Sequence, residues 1–175
     1  MFIIIFFLLA IEAIKCDDDF HFIKNQLNQR RHLIEETQRL SRLCTFERRR
    51  LSKDMKMLRQ LEIYAARMSN LCQRFNMPFF YGLMSTSYEF LHDLRLKAKT
   101  LRIDLRRCTK RMGFFSRRDL DHNFFKFRII NEKNDIMYMV GKSRKKRHRM
   151  ARAVWEFQSI MKDFHETYKH RFQYQ

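Results

Sequence analysis

Apolar residues recur at intervals of three and four along almost the entire chain, the spacing of helices that each bury one face. The first such stripe, over residues 17–43, is Phe20, Ile23, Leu27, Ile34, Leu40 and Leu43, with Asp17, Asp18 and Asp19 at its start to cap it and complement the helix dipole. Residues 45–50 read as a charged connection. A second helix follows over 51–75, with Leu51, Met55, Leu58, Ala65, Met68 and Cys72 inward. Asn76, Met77 and Pro78 make the clearest break, because proline cannot continue the helix before it. The third segment, over 79–112, has the cleanest period: Phe80, Leu83, Ser87, Phe90, Leu94, Ala98, Leu101, Leu105, Cys108 and Met112, read as one long helix or two nearly collinear ones, with Gly113 as the C-terminal cap. A fourth helix is expected over 118–140, with Leu120, Phe124, Phe127, Ile130, Met137 and Val140 inward and Gly141 at its end. The basic run 142–149 reads as a loop. A last helix covers 150–172 with Ala151, Val154, Trp155, Ile160, Phe164 and Tyr168 inward. The pattern predicts an all-α protein, an antiparallel up-down bundle of about five helices.

Composition agrees with this. Three Gly and one Pro in 175 residues leave almost no material for hairpin turns, whereas helices joined by short polar links need little of either. A hydrophobic content of 45% supplies a core and excludes a disordered tail. One domain over 16–175 accommodates the length, with no internal repeat or low-complexity linker.

The apolar run Met1–Ala10, continued by Ile11-Glu12-Ala13, is too short to cross a bilayer and has the character of a signal-peptide core. Residues 1–15 are therefore expected to be removed, with cleavage near Ala13 or just before Cys16, leaving a secreted, extracellular chain without membrane insertion. In that compartment Cys16, Cys44, Cys72 and Cys108 read as two disulfides, and spacing alone leaves all three pairings open.

A net charge of +18 predicts attraction to polyanions: nucleic acid, heparan-type glycans or acidic protein surfaces. The tetrad Arg144, Lys145, Lys146 and Arg147 has three readings: a site for proteases that cut basic tetrads, a polyanion-binding patch, or a solvated loop. No catalytic constellation is legible. The chain has no Gly-rich phosphate loop, nucleophile elbow or His-Glu-x-x-His, its seven histidines are scattered, and Glu35-Glu36 point to different helix azimuths. A non-enzymatic protein is expected, with no cofactor, no metal and no small-molecule substrate. The aromatic run around Phe124, Phe125 and Phe127 reads as core rather than as a base-stacking platform.

Several local motifs resemble the type I interferons, a family of helical cytokines. Ala153-Val154-Trp155-Glu156 is similar to the family's Cys-Ala-Trp-Glu signature opening the final helix after a lysine-rich loop. Cys44-Thr45-Phe46-Glu47-Arg48-Arg49-Arg50-Leu51 is similar to its Cys-Leu-Lys-Asp-Arg-x-Asp-Phe segment after the first helix. Cys16 stands where mature interferons commonly begin, and Cys108 near the end of the third helix. The last helix also resembles interferon gamma in Ala153, Val154, Glu156 and Met161. The resemblance implies an interferon-like bundle that binds a two-subunit cell-surface receptor and triggers antiviral kinase signalling. It places receptor contacts at Thr45, Arg48, Ser159 and Lys162, with Arg48 at the family's key arginine, Thr45 where the family has leucine, and Ser159 where it has arginine. It implies a Cys16–Cys108 disulfide. Ala153 stands where the family has the partner of Cys44, so Cys72 becomes the expected partner instead.

Overall fold

Asn76 turns the chain back on itself. Its φ of 55° is left-handed, a conformation asparagine tolerates better than most residues. Met77 N–H donates to the Cys72 carbonyl at 2.8 Å, and Asn76 N–H to the Gln73 carbonyl at 3.1 Å. These two bonds close the helix end in a Schellman motif, and Pro78 then opens the next helix, where its missing N–H costs nothing. The computed structural model describes the backbone of residues 2–118 and 122–169 and, within these, the side chains of 20–114 and 126–169.

Among the described residues there are three helices and no strand: α1, Phe2–Arg74; α2, Pro78–Arg118; α3, His122–Tyr168. The all-α expectation holds, but five helices become three. The break at 76–78 is real. The expected connection over 45–50 is an uninterrupted part of α1, and the expected loop over 142–149 is an uninterrupted part of α3. Gly113 and Gly141 lie inside helices rather than capping them, and no glycine has a positive φ.

The reason is a seven-residue repeat. In α1 the buried positions Thr37, Cys44, Leu51, Leu58, Ala65 and Cys72 are each seven apart, with Leu40 and Glu47 between them. From Met77, just before α2, they continue through Met84, Leu91, Ala98, Leu105 and Met112, interleaved with Phe80, Leu94, Leu101 and Cys108. In α3 they are Ile129, Ile136, Ser143, Met150, Phe157 and Phe164. A period of 3.5 residues keeps each seam facing its neighbours over many turns, so long helices pack without interruption. The repeat runs straight through both charged segments, where Glu47 and Ser143 occupy seam positions.

This register corrects several inward assignments. Trp155 is 69% exposed and Phe127 75%, while Ile130, Met137 and Phe90 are also on the surface. Their places in the core are taken by Ile129, Ile136, Ala153 and Phe157. Leu120, Phe124 and Phe172 lie outside the described side chains. Phe20, Ile23, Leu27 and Ile34 are exposed as well.

Candidate anion-binding cleft

Because α1 and α2 run antiparallel from a turn at Asn76, residues equidistant from Asn76 stand level with each other. Arg48 on α1 is thereby brought between Arg102 and Arg106 on α2, which lie four residues apart on one helix face. With Ser52 and Ile103 these three arginines line an open cleft of about 400 Å³. Among the described residues none of the three has a carboxylate within ion-pair distance. The Ser52 hydroxyl is already committed, donating to the Arg48 carbonyl at 2.9 Å. The cleft therefore presents guanidinium donors beside the part-exposed Ile103 side chain, with no aromatic ring among its described lining residues.

Elsewhere two interhelical carboxylates, Glu47 and Glu62, are paired with cations. Glu47 is 2% exposed and meets Arg147 of α3 in a close ion pair, with the Ser143 hydroxyl donating at 3.4 Å and Arg144 standing 4.0 Å away. Glu62 of α1 accepts hydrogen bonds from Arg95 at 2.6 Å and from His92 Nδ1. Burial would raise the Glu62 carboxyl, but the His92 and Arg95 hydrogen bonds outweigh it and hold the group below its ordinary value of 4.5. A carboxyl depressed in the folded state stabilises the fold above that ordinary value, and the contribution is lost as pH falls through the folded pKa. The melting temperature should therefore fall as the pH drops below about 4.5, and Glu62→Gln should flatten part of that slope. Thermal melts of both proteins between about pH 3 and 6 check this; parallel curves would refute it.

The basic tetrad is not a loop. Its four residues lie on α3, where Arg144 and Arg147 turn toward buried Glu47 while Lys145 faces solvent. Lys146 is half-buried, and burial followed by repulsion from Lys97 pushes its ammonium pKa down. Arg147 thus pairs with a buried carboxylate, while Arg144 stays largely exposed at the edge of the same pair.

The residues implied by the interferon resemblance are dispersed. Thr45 is half-buried, its hydroxyl donating to the Ser41 carbonyl at 2.9 Å. Ser159 and Lys162 are exposed on α3, Lys162 standing 3.7 Å from Glu166. The Glu47–Arg147 pair sets the level of α3 against α1, so Ser159 lies about 20 Å further along the bundle than Thr45 and Arg48. Cys44 and Cys72 sit on the same helix about 42 Å apart, which precludes a bond between them within one chain. The side chain of Cys16 and the signal-peptide segment lie outside the described side chains.

Arg102 and Arg106 escape a reading based on apolar stripes. Their signal is the i, i+4 pair itself, which gains meaning once Asn76 fixes the hairpin register. Among the described residues no helix is long and apolar enough to cross a membrane, and no three metal-ligating side chains converge. Compared with known proteins, the chain matches no family, no curated sequence and no solved structure.

Proposed function

We propose that this chain is a secreted, non-catalytic binding protein whose α1–α2 cleft grips the sulfate groups of an extracellular heparan-type glycan. The observation that carries this reading is the convergence of three guanidiniums, without carboxylate partners among the described residues, from Arg48, Arg102 and Arg106 on two helices onto one cleft. Planar guanidinium forks suit sulfate and phosphate oxygens, and an overall charge of +18 steers any polyanion to the surface. A lining without aromatic rings favours a glycan over single-stranded nucleic acid, which is held largely by base stacking. The apolar first residues, read as a signal peptide, favour an extracellular partner.

Heparin binding measured across a salt series tests the site. Arg48→Ala/Arg102→Ala/Arg106→Ala should weaken binding roughly 10- to 100-fold and reduce the slope of log affinity against log salt by about 2–3. The control removes the same charge from α1 outside the cleft, as Arg59→Ala/Arg67→Ala/Arg74→Ala. Equal losses in the two triple variants would mean diffuse charge and no site.

A second reading is the interferon-like cytokine acting through a two-subunit receptor. Trp155, within the motif that resembles the family's signature, is bare on α3, and exposed tryptophans are frequent anchors of protein interfaces. Arg48, the residue of the implied key contact, is available at the surface. Three long helices are fewer than the five the resemblance implies, so this reading rests on motifs. Capture of a cell-surface receptor that survives heparinase treatment and is lost in Trp155→Ala would establish it over the glycan reading.

A further inference from the structure

Cys44 and Cys108 are each 32 residues from Asn76, one before the turn and one after it. In an antiparallel pair rising equally per residue, they stand directly opposite each other. Both occupy seam positions, both are fully buried, and both belong to the core layer formed with Leu40, Met112, Ile136 and Val140. Their thiols are near enough to perturb each other's ionisation, and Cys44, Cys72 and Cys108 are all in the free form here. Cys72 lies at the other end of α1, in the layer near the turn, out of reach of both.

We propose that Cys44 and Cys108 form a disulfide that clamps α1 to α2 beside the arginine cleft. Arg48 is one helical turn from Cys44, and Arg106 is two residues from Cys108, so the bond ties together the two walls of that cleft. This pairing differs from both pairings drawn from the interferon resemblance. It stands or falls independently of what the cleft binds.

The step balances with a disulfide oxidant such as oxidised glutathione. The Cys44 thiolate attacks one glutathione sulfur and expels the other as reduced glutathione. The Cys108 thiolate then attacks Cys44 Sγ in the mixed disulfide and expels the second. Two thiol protons and two electrons leave the protein, and one Sγ–Sγ bond forms. Either thiol can make the first attack, and the balance is the same in both orders. Because neither thiol is exposed, exchange belongs to the folding reaction, before the seam closes.

The test refolds the full chain in a glutathione redox buffer, blocks remaining thiols, and maps crosslinked peptides by mass spectrometry without reduction. A Cys44–Cys108 crosslink is expected, with Cys72 alkylated. The oxidised chain should melt about 10 °C above the reduced one, since the bond closes a long loop in the unfolded chain. Cys44→Ser and Cys108→Ser should each abolish that difference, and Cys72→Ser should retain it. Cys44 and Cys108 both recovered as alkylated thiols, or Cys108 joined to Cys16, would overturn the assignment. Heparin affinity plays no part in this outcome, so a failed crosslink and a failed glycan reading are told apart.

Discussion

Replacing Arg147 by alanine should destabilise the bundle by about 3–5 kcal/mol, the range for removing one partner of a buried ion pair. Glu47 is the cause. Its carboxylate sits on the α1 seam, 2% exposed, and Arg147 is its close partner from α3. Without that guanidinium, Arg144 at 4.0 Å and the Ser143 hydroxyl at 3.4 Å are left to compensate a buried charge. Both hold it weakly at those distances. The penalty comes from the stranded carboxylate rather than from the strength of the pair. The double variant Glu47→Leu/Arg147→Met should therefore recover most of the loss, since apolar residues of similar volume leave nothing unpaired. Denaturant midpoints of the parent, Arg147→Ala and the double variant check this. A double variant no more stable than Arg147→Ala would show that the pair itself, and not its desolvation, governs the site.

Phe164→Ala should cost about 3–5 kcal/mol by leaving a cavity where three aromatic rings meet. Phe164 is 2% exposed and lies edge-on to Phe80 of α2, with ring centroids 5.2 Å apart. Tyr168 closes the group at 5.3 Å from Phe80 and 5.8 Å from Phe164. Such edge-to-face geometry adds to the area each ring hides. This cluster fastens the last turns of α3 beside the Asn76 turn, and the truncation should loosen that end first. Hydrogen exchange should show lost protection at residues 157–168 ahead of the α3 stretch around Ile136. Uniform loss along α3 would mean that the three helices unfold as one unit. Phe164→Leu should retain more than half of the stability, because it keeps most of the buried volume.

Helical class and the sharp turn at Asn76 were legible because each depends on local chemistry. Almost no glycine or proline, apolar spacing of three and four, and Asn76 before Met77-Pro78 act within a few residues. The helix count was not legible. Arg48-Arg49-Arg50 and the run 142–149 have the composition of solvated links, and composition does not show that Glu47 and Arg147 place opposite charges against each other across the bundle. Once they do, the dense charge is compatible with continuous helix, and Leu51 and Met150 carry the seam onward on either side. Trp155 shows the same limit. A run of Ala, Val and Trp is apolar at three consecutive positions, so a 3.6-residue reading can choose any of them. The 3.5-residue seam selects Ala153 and Phe157 and leaves the indole outside.

From sequence alone come the all-helical class, the break at 76–78, most of the α2 core stripe apart from Phe90, and the net charge of +18, because propensity, spacing and net charge are properties of neighbouring residues or of their sum. The tertiary structure alone decided which distant residues became neighbours: Cys44 with Cys108, Glu47 with Arg147, and Arg48 with Arg102 and Arg106. Those pairs depend on the register between helices, which is set by a turn up to 32 residues away and by how the seams interlock. No local pattern carries that distance. The same register divides the basic tetrad between core and solvent, a division that four adjacent cations cannot reveal by their order.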